Sequence, residues 1–165
     1  MEEYAFERLC ERHRNAVIDI FNHYVRETTA AYRDAEVGYE FFDNFLEDAA
    51  SYPAYAVVGP GGEVAGFCML EPLMPIPTFA ETAEVTYFLR ADQTGKGLGA
   101  LALARLEEDA RRLGVRKLVA NLSSGNLGSL VFHVRHGFEE YGRLRDAGRK
   151  FGLPFDIVYL EKSLA

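Results

Sequence analysis

Gly95, Gly97 and Gly99, with Lys96 among them, form the stretch of this chain whose residue types are best suited to holding an anion. Residues 84–89, Glu-Val-Thr-Tyr-Phe-Leu, precede it and read as a strand, because after Glu84 they are β-branched, aromatic or apolar. A helical pattern follows at once: Leu101, Leu103, Ala104, Leu106 and Ala110, with charged Arg105, Glu107, Glu108 and Arg111 between them. Glycines let the backbone approach a phosphate closely and turn its N–H groups toward it. The first helical turn adds N–H groups without partners and the positive end of the helix dipole. Strand, glycine loop and helix start together make a phosphate cradle.

Three nucleotide-binding patterns compete for this loop. A Walker loop needs Gly-Lys-Ser/Thr, whereas Gly97 follows Lys96 here, so no hydroxyl is placed for magnesium. The dinucleotide pattern G-x-G-x-x-G/A fits Gly95, Gly97 and Ala100. It also needs a carboxylate about 20 residues on, and the next strand ends in Asn121 and Leu122. The third pattern, Gln/Arg-x-x-Gly-x-Gly/Ala, falls on Thr94, Gly97 and Gly99, with Gln93 one position early. Downstream, Asn126-Leu-Gly-Ser129-Leu-Val-Phe132-His133-Val-Arg-His-Gly137-Phe138 matches a companion segment of that third pattern. The ending from Gly142 through Gly148, Gly152 and Asp156, and Phe21-Asn22-His23-Tyr24 followed by Thr28-Thr29-Ala30, are more particular still. Together these motifs resemble the GNAT superfamily of N-acetyltransferases, and within it the phosphinothricin acetyltransferase branch, over nearly the whole chain.

The resemblance implies an α/β (α+β) fold, with a mixed, mostly antiparallel sheet of six to seven strands and about four helices. It implies acetyl-CoA as co-substrate, a small primary amine as acceptor, no metal, and a homodimer as in many relatives. The loop Thr94, Gly95, Lys96, Gly97, Leu98 and Gly99 would hold pyrophosphate, with Lys96 adding charge or simply solvated. Phe88 and Leu89 would meet the pantetheine arm through their main chain, as an added half-strand does. Asn126 and Ser129 would lie along that arm, with Asn126 equally suited to cap a helix.

Acetyl transfer to an amine needs a base for its proton, donors for the developing oxyanion and a proton toward the leaving sulfur. The branch carries its proposed base where Glu84 stands. A carboxylate opening an apolar strand has its pKa raised by burial; the alternatives are a solvated Glu84 and a role for Glu81. His133 stands where most relatives place the tyrosine that acts as acid. It either serves as that acid or packs, with Tyr87 and Tyr159 as substitutes. Thr28 and Tyr32, between two early helices, are candidate acceptor contacts or simply cap and pack that turn.

Phe79 lies in the loop that borders the acceptor side. There the branch carries an arginine to grip an amino-acid carboxylate, but this chain has Met74-Pro75-Ile76-Pro77-Thr78-Phe79. An apolar loop disfavours a carboxylate unless Arg33, Arg143 or Arg145 replaces the cation. Two other readings stay open: an acyl-CoA-binding sensor without catalysis, and acetylation of a protein or peptide amine.

The remaining sequence must position these groups. Its 165 residues suit one domain, 1–165, and 48% hydrophobic with 26% charged residues is ordinary globular composition. A net charge of −7 opposes nucleic-acid and anionic-membrane binding. No apolar run could span a bilayer, and Glu2 and Glu3 have the wrong charge for a signal peptide, so a cytoplasmic protein is expected. Cys10 and Cys68 lack metal spacing and read as buried thiols. Residues 4–9, 55–58, 64–70, 84–89, 116–122, 138–144 and 155–160 read as strands. Helices are expected over 13–26 and 37–49, after the glycine loop, and from Asn126 with Leu130, Val131 and Val134 inward. Gly148 and Gly152 are expected to turn the chain, with Arg149 and Lys150 in the turn. His13, His23 and His136 read as structural or solvated.

The loop assignment has a direct test. Gly97→Glu places a side chain and a negative charge where the pyrophosphate must lie. Acetyl-CoA affinity measured by calorimetry should fall at least about tenfold, roughly 1.4 kcal/mol, with the circular dichroism spectrum unchanged; undiminished affinity would remove the loop from the site.

Overall fold

The computed structural model describes residues 3–164, built on a seven-stranded sheet. The strands are β1 Ala5–Arg8, β2 Ala54–Val58, β3 Val64–Pro72, β4 Thr82–Leu89, β5 Lys117–Ser123, β6 Glu139–Lys150 and β7 Leu153–Ser163. The helices are α1 Arg14–Glu27, α2 Phe42–Ala49, α3 Leu98–Arg112 and α4 Leu127–Arg135. Spatial order is β1-β2-β3-β4-β5-β7-β6. Every neighbouring pair is antiparallel except β4 with β5. This is the mixed, mostly antiparallel sheet with four helices that the sequence predicts. Among the described residues no helix is long and apolar enough to cross a membrane.

The sheet is covered on both faces, so its central strands are apolar on both sides rather than alternating. Strand β3 is buried without interruption from Ala65 to Leu70. On one face Phe67, Met69 and Phe88 pack against Val17, Ile18 and Ile20 of α1 and Phe42 of α2. On the other, Cys68, Leu70 and Val85 pack against Ala102, Leu103, Leu106 and Ala110 of α3, with Phe132 of α4 at the margin. Burial pushes the Cys68 thiol pKa up to about 12, so it is an inert core group. Cys10, expected to be buried, is exposed, because it precedes the first helical turn rather than entering the core. His13 is buried and bonded at Nε2 to Glu7 Oε2 at 3.0 Å, a structural role.

Three local expectations need correction. Helix α4 does not bury Val131 and Val134, which are exposed; its buried residue is His133, with Leu130 and Phe132 half-covered. Strand β6 does not stop at Leu144 but runs to Lys150, and the chain turns at Phe151–Gly152. Gly148 therefore lies in the strand opposite Phe155, where any Cβ would come within 2.4 Å of that ring. The helix expected from residue 37 begins as a 3-10 turn at Tyr39 and becomes α-helical at Phe42.

Lys150, expected in an open turn, is 6% exposed at the end of β6. Its ammonium donates to the carbonyls of Thr28 at 2.6 Å and Ala31 at 2.8 Å. Burial lowers its pKa, and the two carbonyls hold the charge in place. One side chain from the far edge of the sheet thus ties down the segment that follows α1. Lys150→Met leaves these carbonyls unpartnered and should cost about 1–3 kcal/mol. Chemical denaturation would measure that loss, and hydrogen exchange should quicken first at residues 28–32; unchanged exchange there would refute the tether.

Candidate active site

The site begins with a mismatch between neighbouring strands. β4 and β5 pair in parallel only at Thr82–Lys117, Ala83–Leu118 and Glu84–Val119. Beyond Glu84, β4 stays in register with β3 as far as Leu89, and β5 stays in register with β7 as far as Ser123. The two ribbons diverge and leave a cleft of about 880 Å³ between them. Its lining includes Tyr32, Glu84, Tyr87, Phe88, Leu89, Thr94, Gly95, Gly97, Leu98, Gly99, Asn126, Ser129 and His133.

Side chains alternate along β4, so Glu84, Thr86 and Phe88 face α1 and α2, while Val85 and Tyr87 face α3 and α4. At the mouth of the gap, Asn121 of β5 donates its Nδ2 to Glu84 Oε1, and Tyr32 donates its hydroxyl to Asn121 Oδ1 at 2.9 Å. The Tyr32 ring stacks on Phe155 of β7 at 5.8 Å. Directly across the ladder from Glu84 stands Glu71, which accepts from Thr86 Oγ1 at 2.8 Å. Burial raises the Glu84 pKa, the Glu71 charge raises it further, and the Asn121 hydrogen bond partly opposes both. Glu71 is raised likewise, first by burial. Glu81 is exposed and absent from the lining.

On the opposite face His133 Nδ1 lies 2.6 Å from the carbonyl of Ser129. That contact requires the hydrogen on Nδ1, which leaves Nε2 as an acceptor for the Tyr87 hydroxyl. Burial lowers the His133 pKa and raises that of Tyr87, so this pair is uncharged near neutrality with its proton on the tyrosine oxygen. The two rings stack at 5.5 Å. Tyr159 pairs with Asn121 across β5 and β7 but does not line the cleft.

The glycine loop closes the cleft on the α3 side. Gly97 has φ of +82°, a conformation that L side chains rarely adopt, and it leads into α3 without any side-chain cap. The first N–H groups of α3 thus have no intrahelical acceptor and border the cleft. Gly99 serves a different purpose: a Cβ there would meet the Phe132 ring at 3.3 Å, so glycine lets α3 and α4 approach. Lys96 is exposed, bonded to Gln93 Oε1 at 3.3 Å, and outside the lining. Asn126 caps α4 by accepting from Ser129 N at 3.3 Å, which leaves its Nδ2 donors for the cleft. The Leu89 carbonyl already accepts from the Tyr24 hydroxyl, while the Phe88 ring packs on Phe21 and Phe67.

Two expected contacts lie elsewhere. Thr28 bonds to the Tyr24 carbonyl at 2.9 Å and to Ala30 N at 3.1 Å, capping α1, and does not reach the cleft. Phe79 sits on an exposed 3-10 turn outside the lining. Sequence reasoning missed Asn121 and Glu71 as partners of Glu84. The signal for Asn121 was a lone amide within the apolar strand 117–123; Glu71 had none, since cross-strand register is not written locally.

The model of the acetyltransferase (GNAT) family matches residues 17–138. An L-methionine sulfoximine/L-methionine sulfone acetyltransferase of Pseudomonas aeruginosa is 33% identical over 150 residues, covering 90% of this chain and 87% of that protein. A phosphinothricin N-acetyltransferase of Streptomyces coelicolor is 29% identical over 150 residues, 88% of each chain. A Salmonella typhimurium protein solved with its cofactor acetyl-CoA superposes with a TM-score of 0.89 at 27% identity, covering 98% of this chain and 94% of that one. With a cleft of this construction and these relatives, the chain belongs to the GNAT family of acetyltransferases, and it resembles the phosphinothricin acetyltransferase branch.

Proposed function

We propose that this enzyme moves the acetyl group of acetyl-CoA to the primary amine of a small molecule, with Glu84 as general base. The observation that carries the reading is the pairing of proton-handling groups across one gap. Glu84 with Asn121 lies on the α1–α2 face, and Tyr87 with His133 on the α3–α4 face. The names of the relatives, which act on methionine sulfoximine and phosphinothricin, support a small amine as acceptor.

The coenzyme, when bound, supplies an acetyl group activated as a thioester. The free N–H groups at the start of α3 and the loop at Gly95 and Gly97 hold its pyrophosphate. Asn126 Nδ2 and the open edge of β4 orient the arm, and the open edge also offers N–H groups to the developing oxyanion. Glu84 takes the proton of the attacking amine at its carboxylate, directly or through one water. Asn121 holds Oε1 and so leaves Oε2 free for that proton. A pKa raised by burial and by Glu71 suits proton transfer near neutral pH.

On the other face Tyr87 is the group with a proton to offer, because the hydrogen of His133 points to Ser129. Its raised pKa keeps the proton on Tyr87, so as charge develops on the leaving sulfur the hydroxyl turns its O–H from His133 Nε2 toward it and donates a hydrogen bond rather than surrendering the proton. In the resting site His133 holds that hydroxyl in place.

Glu84→Gln cannot accept the amine proton, and kcat should fall by roughly 10²–10⁴ with acetyl-CoA affinity unchanged. Because the base must be ionised, kcat/KM of the parent should drop as pH falls through a pKa above the ordinary glutamate value. Glu71→Gln removes the facing charge and should move that acid limb to lower pH. A Glu84→Gln enzyme as fast as the parent at neutral pH would end the assignment. Tyr87→Phe loses one hydrogen bond to developing charge, about 1.5–3 kcal/mol, so kcat should fall roughly 10–100-fold while the acid limb stays put. A shifted limb would mean that Tyr87 acts through Glu84.

A further inference from the structure

At the mouth of the cleft an amide bridges two strands whose main-chain ladder has already ended. The last parallel pair of β4 and β5 is Glu84 with Val119. Asn121 comes next on the same face of β5, because Leu118, Ala120 and Leu122 point into the α3 layer. Its Nδ2 donates to Glu84 Oε1. An ionised carboxylate only accepts, so the amide must present Nδ2 to Glu84 and Oδ1 to its other side. There the Tyr32 hydroxyl donates to Oδ1 at 2.9 Å. Burial, with Tyr159 and Glu84 adding to it, pushes the Tyr32 pKa up to about 12, so the tyrosine keeps its proton and remains a donor.

This hydroxyl is not needed to hold its own segment in place. Lys150 binds the carbonyls of Thr28 and Ala31, the Ser123 hydroxyl donates to Thr29 Oγ1 at 2.8 Å, and the Tyr32 ring stacks on Phe155. Tyr32 is exposed, so water could satisfy its hydroxyl, yet it is aimed at the half-buried amide. Hydrogen bonds in series polarise one another, and a donor at Oδ1 strengthens the Nδ2–H that faces Glu84. The same donor opposes a half-turn of the amide, which would bring two oxygens together at Glu84 and two donors together at Tyr32. The other titratable groups act on Glu84 without touching this chain. Glu71 of β3 faces it across the ladder, and Tyr141 of β6 and Tyr159 of β7 lie within range of the same charges. Arg33, also in the lining, is held over the Phe41 ring.

We propose that Tyr32 is a positioning residue for Glu84: acting through Asn121, its hydroxyl fixes which carboxyl oxygen receives the proton of the amine, on the reading of Glu84 as general base. Asn121 occupies Oε1, Tyr32 keeps Asn121 from turning, and Oε2 is left to take the proton. The Tyr32 hydroxyl, expected from the sequence to touch the acceptor, is thereby spent on the base. The chain from Tyr32 to Asn121 to Glu84 also ties the segment after α1 to the proton-transfer step.

The test follows the Glu84 carboxyl itself. Enzyme labelled with carbon-13 in its glutamate carboxyl groups is titrated by NMR, with the Glu84 signal assigned from Glu84→Gln. Asn121→Leu removes a hydrogen bond to the charged form and should raise the Glu84 pKa by about one unit, a tenfold gain in proton affinity. Tyr32→Phe keeps the ring on Phe155, removes only the hydroxyl, and should raise that pKa by roughly a third as much. The double variant should match Asn121→Leu, because without the amide the hydroxyl has nothing to act through. Acetyl-CoA affinity measured by calorimetry should stay within about twofold in all three.

A Glu84 signal unmoved in Tyr32→Phe overturns the assignment, and so does a double variant whose shift is the sum of the two single shifts. The acid limb of kcat/KM, followed by CoA release with L-phenylalanine and phenethylamine as acceptors, separates this role from the base reading. A limb that moves with the Glu84 pKa upholds both. A limb that stays while the pKa moves upholds the positioning by Tyr32 and counts against Glu84 as the base.

Discussion

Everything at this site depends on the brevity of one parallel pairing. β4 and β5 share three residue pairs and then separate, because each has an antiparallel partner that holds it along its remaining length. A strand is constrained by the ladder it keeps, and antiparallel ladders are the more stable of the two kinds. The gap is therefore not a flaw in packing but the place where two well-formed ribbons twist apart. It leaves backbone edges available in the middle of a sheet, where they would otherwise be consumed by a neighbour.

That gap also separates the chemistry by face. Alternation along β4 sends Glu84 to one side and Tyr87 to the other, three residues apart in sequence but on opposite surfaces. Glu84, the proposed base, sits among groups that raise its proton affinity, with Glu71 across the ladder and apolar side chains around it. The tyrosine–histidine pair sits in the drier α3–α4 layer, where burial keeps both members neutral. A charged pair there would cost desolvation that no partner repays. The same layer holds the start of α3, whose unpaired N–H groups supply positive potential in an otherwise acidic protein.

Support for the proposed acceptor side comes from far away in sequence. Lys150 closes β6 and pins the carbonyls of Thr28 and Ala31, and Phe155 at the start of β7 stacks on Tyr32. The segment after α1, which carries Tyr32 and Arg33, is thus held by the last hairpin of the chain. Exposed loop residues gain precision in this way, since a side chain anchored by buried hydrogen bonds loses little further freedom when a ligand arrives.

By itself the sequence determined most of the elements and the glycine turn that leads into α3. Strand periodicity, the glycine spacing at 95, 97 and 99, and the amphipathic run of α3 are local signals, and each produced the element expected of it. Motif order made the family legible as well. Local signals failed where burial is set by partners distant in the chain. Lys150 looked like a turn residue until two carbonyls more than a hundred positions earlier enclosed it. Val131 and Val134 looked like a core face, but α4 turns His133 inward to meet Tyr87. Only the tertiary structure set Glu71 opposite Glu84, brought Asn121 to its carboxylate and placed Arg33, alone of three candidate arginines, in the cleft lining. Register between strands and the stacking of a loop on a helix follow from the packing of the whole sheet, and no window of neighbouring residues encodes them.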